Sequence, residues 1–243
     1  MRSKNAALQA RDAAAGDAAR RRPRFPQVHA PKPLLSGEDE KRLTARQREL
    51  LDQFEAHVAE EGMSERTMAE VAAHMNCSLR TLYGIASTKD ELLKIVADRR
   101  MRRIGRHAMD ALDERMTPIE MLRAYLASTN DAVLPTTVAL NRQLVGVAGA
   151  RHMLGGHGGY VLAMTQHLLD QAVAVGEIAP IDTVAVAHVL GSLGVEFSRP
   201  EVAETMPGEP KATADAIAEI ILRGLLQPTP PPTRLALKNK RGR

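Results

Sequence analysis

Arg80 stands between Leu79 and Thr81, with Gly84 one turn further on, in the segment Ser78-Leu79-Arg80-Thr81-Leu82-Tyr83-Gly84. On the outer face of a helix these residues present a forked cation beside small apolar and hydroxyl groups. A guanidinium forks onto a guanine edge, and Leu79 or Thr81 can touch a thymine methyl. Thr67, Ser78, Tyr83 and Lys89 carry hydroxyls and an ammonium suited to phosphate oxygens, contacts that hold register without reading sequence. Lys89 also falls in a helix N-terminal turn, where the dipole attracts anions. The competing readings are a half-buried core ring for Tyr83 and a solvated charge for Lys89.

Such a face needs two short helices joined by a tight turn, and residues 67–93 have that pattern. Val71, Met75, Cys77, Leu82 and Ile85 are spaced to lie between two helices, and Ala72 is small where they cross. Asn76 marks the turn, because asparagine tolerates positive φ better than any residue except glycine. This is the pattern of a helix-turn-helix, with a generic antiparallel pair as the alternative. Helix starts are well marked elsewhere too. Thr44 with Gln47, Thr67 with Glu70 and Thr117 with Glu120 fit capping boxes, the last with Pro118 at the first helical position. The periodicity predicts helices over 44–61, 67–75, 79–85, 88–113, 117–134, 136–150, 158–175, 182–198 and 211–226. Gly62 and Pro135 are read as terminators, and no strand pattern appears.

On these residues the chain resembles the TetR family of transcriptional regulators. The resemblance begins near Arg46, passes through Thr67-Met68-Ala69-Glu70-Val71-Ala72 and Thr81-Leu82-Tyr83, and ends at Ser87-Thr88-Lys89-Asp90-Glu91-Leu92-Leu93. It implies an all-α fold, with an N-terminal three-helix helix-turn-helix head followed by a helical effector and dimerisation domain. It also implies a homodimer on a palindromic double-stranded operator, retuned by a small molecule and acting as a repressor. Matching family positions place Thr67, Tyr83 and Lys89 on phosphates, and Arg46 is counted among the DNA-facing residues. The chain departs from the family at Gly84-Ile85-Ala86, where a phosphate donor and a packing ring are missing. The rival reading is therefore a helical protein-protein interaction module that has lost specific DNA binding.

Charge divides the chain. Residues 1–36 carry a net +6, residues 228–243 a net +5, and the stretch between them −7. The basic character thus belongs to the ends. Both ends lack an apolar period, so 1–36 is read as a disordered basic arm and 228–243 as a disordered Pro-rich tail. Between them, 37–98 is assigned to the head and 99–227 to the effector domain. Arg20–Arg24 is a candidate to follow the DNA backbone or enter the minor groove. The arginines from Arg99 to Arg106 read as a solvated face paired with its own carboxylates.

In the effector domain, Met121, Tyr125, Met164 and Leu168 are candidate walls for a lipophilic ligand, with His107, Asn141, Arg142 and His167 as polar contacts. Ordinary core packing explains the same residues. Val186, Leu190, Leu193 and Phe197, with Gly194 alongside, and Ile217, Ile221 and Leu225 form two stripes suited to a C2 four-helix bundle. Catalysis is not expected: His-Glu-x-x-His, Gly-x-Ser-x-Gly and phosphate-loop motifs are absent, and Gly155-Gly156-His157-Gly158-Gly159 reads as a loop. One cysteine excludes a disulfide framework and a thiolate zinc cage, so Cys77 is read as a structural thiol. No metal and no cofactor are expected. No apolar run approaches the roughly 20 residues that span a bilayer, and no secretory h-region is present. A cytoplasmic protein without membrane partners is expected.

Overall fold

The computed structural model describes residues 23–62, 65–197 and 199–226, and among them every regular element is helical. Capping accounts for most of the boundaries. Ser36 caps α1 (Gly37–Arg42), and Thr44 with Gln47 caps α2 (Ala45–Glu60). Thr67 with Glu70 caps α3 (Met68–His74), Ser78 caps α4 (Leu79–Tyr83) and Thr88 caps α5 (Lys89–Asp110). At the turn after α3, Asn76 has φ +48°. There the Cys77 N–H donates to the Ala72 carbonyl at 2.9 Å and the Asn76 N–H to Ala73 at 3.2 Å. This paired arrangement satisfies the last carbonyls of α3 and aims α4 across it.

The head has its own core. Leu50, Leu51, Phe54 and Val58 of α2 meet Val71 and Ala72 of α3, Leu82 of α4, and Leu92, Leu93 and Val96 of α5. Burying one such side chain contributes about 1.5–3 kcal/mol. This core does not close on the head alone. Leu140 on α7 (Pro135–Gln143), Leu144 after it, and Ala150 at the start of α8 (Ala150–Ala174) also belong to it.

A second core joins α6 (Pro118–Thr129), the far half of α8, α9 (Thr183–Phe197) and α11 (Pro210–Leu226). A single-turn α10 (Pro200–Ala203) lies between the last two. None of the described helices is long and apolar enough to cross a membrane.

Three expectations are corrected. Pro135 does not end a helix; it occupies the first position of α7, and α6 instead frays into a 3-10 turn at Asn130–Val133. Leu134 is extended, as a residue before proline is disposed to be. Gly155-Gly156-His157-Gly158-Gly159 is not a loop but lies inside α8. Each glycine there costs about 1 kcal/mol in helix propensity. At Gly156 a Cβ would reach only ordinary contact, 3.5 Å from Pro31.

Pro31 belongs to the third correction. Residues 23–36, assigned to a disordered arm, form an extended strap over the body. Phe25 and Val28 pack on the second core, and the Phe25 ring meets His167 edge-on at 5.5 Å. The Leu34 N–H donates to Asp98 Oδ2 at 3.1 Å, and Arg102 donates to the Pro31 carbonyl. A strap with no helical period is held this way because its apolar side chains and backbone groups find partners on α5 and α8. Residues 1–22 and 227–243 lie outside the described residues.

Candidate nucleic-acid interface and effector cavity

The head presents α4 outward. Leu82 is buried, whereas Leu79, Arg80, Tyr83 and Gly84 are exposed. Tyr83 is 53% exposed, its ring only partly covered by the head. Ile85 and Ala86 turn inward and complete the core in place of a larger ring. Ser78 and Thr81 are less available than their types suggest. The Ser78 hydroxyl accepts from the Thr81 N–H at 3.0 Å, and the two hydroxyl oxygens lie 2.7 Å apart.

The Thr67 hydroxyl donates to Glu70 Oε2 at 2.8 Å, and these hydrogen bonds from Thr67 hold the Glu70 carboxyl below its usual range. Lys89, half-buried at the start of α5, adds its charge to the same effect. Arg46 pairs with Glu49 at 2.7 Å. Burial pushes the Cys77 thiol up against the opposing pull of Arg46, as a structural thiol requires.

Gln47 is a positioning residue the sequence reading missed. Its Oε1 accepts from the Thr44 N–H at 2.9 Å, and its Nε2 approaches the Thr81 carbonyl at 3.5 Å. It thus links the start of α2 to α4. At Gly84 a Cβ would sit 2.7 Å from Gln47 Nε2, the movable end of that side chain, and would displace the amide. The capping box identified Gln47; only the fold brings its amide to α4.

Four arginines of α5 are paired, though mostly not with their own helix. Arg100 and Arg103 reach Glu55 of α2 at 2.7 and 2.6 Å, Arg99 reaches Glu40 of α1, and Arg102 reaches Asp98 at 3.1 Å. These contacts lock α5 to the head.

Between the two cores lies a cavity of about 1040 Å³. Its walls come from α5 (Met101, Ile104, Met109), α6 (Tyr125), the segment after α7 (Leu144, Val147), α8 (Leu154, Tyr160, Val161) and α9 (Leu190, Gly191, Gly194). The strap contributes Ala30 and Pro31. Of the predicted ligand contacts, Tyr125 and Asn141 line it. Each carries a buried oxygen with no hydrogen-bond partner among the described residues, the Tyr125 hydroxyl and Asn141 Oδ1. Burial drives the Tyr125 hydroxyl far above its ordinary pKa, so it stays protonated and able to donate.

The other predicted contacts are misplaced. His107 is exposed beside Asp131, and Arg142 pairs with Glu204 at 3.0 Å. His167 lies under the strap, its Nε2 2.8 Å from the Gln27 amide. Met121, Met164 and Leu168 are core. Helical period places a residue on a face, but it does not say which neighbour that face meets.

No protein-family model matches the sequence, and no curated protein matches it. Solved structures do match. A regulatory protein of the tetR family from Rhodococcus RHA1 is 17% identical with TM-score 0.59, covering 76% of this chain and 100% of its own. The ketosteroid transcriptional regulator KstR2 of Mycobacterium tuberculosis is 18% identical with TM-score 0.55, covering 77% of this chain and 98% of its own. AibR, solved with isovaleryl coenzyme A and operator DNA, is 17% identical with TM-score 0.54, covering 72% of this chain and 97% of its own. The fold is that of the TetR-family regulators.

Within that TetR fold the predicted dimer stripes are largely internal. Leu190 and Leu193 are buried within the chain, and Leu190 and Gly194 face the cavity. Val186, Phe197, Ile217, Ile221 and Leu225 are half-buried against the second core. The small residues of α9 serve its packing on α8: a Cβ at Gly191 would lie 3.4 Å from the Leu162 Cα. Among the described residues, the large apolar side chains left outside on α9 and α11 are Val184, Val189, Leu226 and Ile220, the last 70% exposed.

Proposed function

We propose that the chain is a ligand-responsive transcriptional regulator of the TetR family that binds a palindromic operator as a homodimer. The observation that carries this reading is the outward face of α4, where Arg80 and Tyr83 stand exposed on a helix whose other side is core. Arg80 reads a base edge, and Tyr83, Thr67 and Lys89 anchor phosphates. A dimer through the outer faces of α9 and α11 would set two such helices roughly 34 Å apart, one DNA turn.

The effector is a lipophilic compound with an anionic group. The cavity walls are mostly apolar, while Arg106 and Arg151 stand exposed at its edge with no ion pair to a described residue. Tyr125 and Asn141 supply the inner polar contacts. Leu144 and Ala150 both line the cavity and belong to the head core. A ligand that displaces them therefore repositions α7 against α2, and α5 runs from the head core into the cavity wall. Operator and effector must then weaken each other by the same factor.

Selection of bound fragments from genomic DNA, followed by footprinting, tests the reading. An inverted repeat with protected half-sites one turn apart is expected, released by an amphipathic acid or acyl thioester and not by its neutral analogue. Absence of any protected repeat would refute DNA regulation and favour a protein-protein interaction module.

A further inference from the structure

No motif in the sequence marks a metal site, yet the fold brings His57, Glu61 and His74 together. Each offers one ligand atom, and these atoms all lie within 4.8 Å of one another. His57 and Glu61 are four residues apart at the C-terminal end of α2, so they share one face of its last turn. His74 is the last residue of α3 and comes from the other helix. His74 Nε2 stands 3.5 Å from Glu61 Oε2, too long for a good hydrogen bond. It is close to the roughly 3.3–3.4 Å between ligands in a tetrahedral site with bonds of about 2.0–2.1 Å.

A second observation points the same way. His57 Nδ1 and His74 Nε2 are both buried and have no hydrogen-bond partner among the described residues. Buried ring nitrogens are rarely left unpaired, because each forfeits its bonds to water. The two rings meet edge-on with centroids 4.6 Å apart, so neither nitrogen is left over from loose packing. A shared cation would satisfy both at once. Arg66 Nη2 lies 3.1 Å from Glu61 Oε2, the oxygen that also faces His74, and is the competing positive group in contact with the trio among the described residues. A carboxylate oxygen can accept the guanidinium on one lone pair and offer the other to a metal, the arrangement by which outer groups orient metal ligands.

We propose that His57, Glu61 and His74 form a binding site for a divalent transition cation of the zinc class, with solvent completing the coordination. Two imidazoles and one carboxylate suit zinc far better than magnesium or calcium, which take oxygen-only sets. Glu61 and His74 are 44% and 24% exposed at the side chain, so the ion has a path in and room for water. The consequence is positional. His74 precedes the Met75-Asn76 turn that aims the recognition helix, so a bound ion ties α3 to α2 and fixes the head.

The test uses the full chain, stripped with a chelator and titrated with zinc chloride by calorimetry, with cobalt chloride as the spectroscopic probe. One equivalent is expected at micromolar zinc, with visible d–d absorption from cobalt and a rise in Tm on zinc addition. His57→Gln with His74→Gln should weaken the affinity by at least about tenfold. Metal-free helicity and Tm confirm that this variant folds, and a His152→Ala control should bind as the parent does. Absence of saturable zinc binding, or parental affinity in the double variant, overturns the proposal. Should the double variant misfold, His74→Gln alone decides by the same criterion. No DNA enters the titration, so its failure and a failure of the regulatory reading are separate results.

Discussion

Asp98 holds the strap to α5, and Asp98→Ala measures how firmly. Its side chain is 4% exposed and accepts hydrogen bonds from the Leu34 N–H at 3.1 Å, Arg102 Nε at 3.1 Å and His157 Nε2 at 2.8 Å. Burial alone would push this carboxyl up. Hydrogen bonds from His157 and Leu34, with the Arg102 charge, outweigh it and hold the group below the ordinary aspartate range. Removing one partner of a buried ion pair costs about 3–5 kcal/mol. The low end applies, because Arg102 is 23% exposed and keeps its bond to the Pro31 carbonyl. A loss of about 3 kcal/mol lowers Tm by roughly 6–12 °C in a chain of this size.

Urea denaturation gives the stability, and hydrogen exchange at the Leu34 amide reports the strap directly. A loss under about 1 kcal/mol with Leu34 still protected would refute this account. The pH dependence has a fixed sign. A depressed folded pKa gives stability that is fully present above the unfolded value near 3.8 and is lost as pH falls through the folded value. The parent should therefore weaken more steeply than Asp98→Ala below about pH 4.

Other outcomes follow from single contacts. Tyr125→Phe removes a buried hydroxyl with no partner among the described residues, so the ligand-free protein should gain about 1 kcal/mol in thermal denaturation; a loss of that size would mean the hydroxyl is satisfied. Gly84→Ala places a Cβ 2.7 Å from Gln47 Nε2 and should weaken head stability by about 1 kcal/mol. Adding Gln47→Ala should cancel that penalty in a double-mutant cycle, and additive losses would contradict the contact. Arg80→Ala should relax operator specificity at one or two base pairs by about 1–3 kcal/mol; a fluorescence-anisotropy panel of operator variants with unchanged preferences would remove Arg80 as a reader.

The head was the most legible part of the chain because its signals are local. Thr44 with Gln47, Thr67 with Glu70, and Asn76 at the turn each act within a few residues, and all hold in the structure. The glycine cluster of α8 is hard to read for the opposite reason. Its propensity opposes a helix, and the burial of Met164, Leu168, Leu169 and Ala172 further along α8 in the second core outweighs it. The stripe on α9 was legible as a stripe. Whether it met a second chain or α8 depended on Leu162, which its period does not mention.

Sequence by itself determined the helical class, the caps and the inward and outward faces of α4. These follow from hydrogen bonds and periodicities that span a single turn. Tertiary structure alone decided the strap on Asp98, the cavity around Tyr125 and Asn141, and the meeting of His57 and Glu61 with His74. Each of these joins residues on different elements. Its existence depends on helix crossings set by the whole core, which no local window of the chain contains.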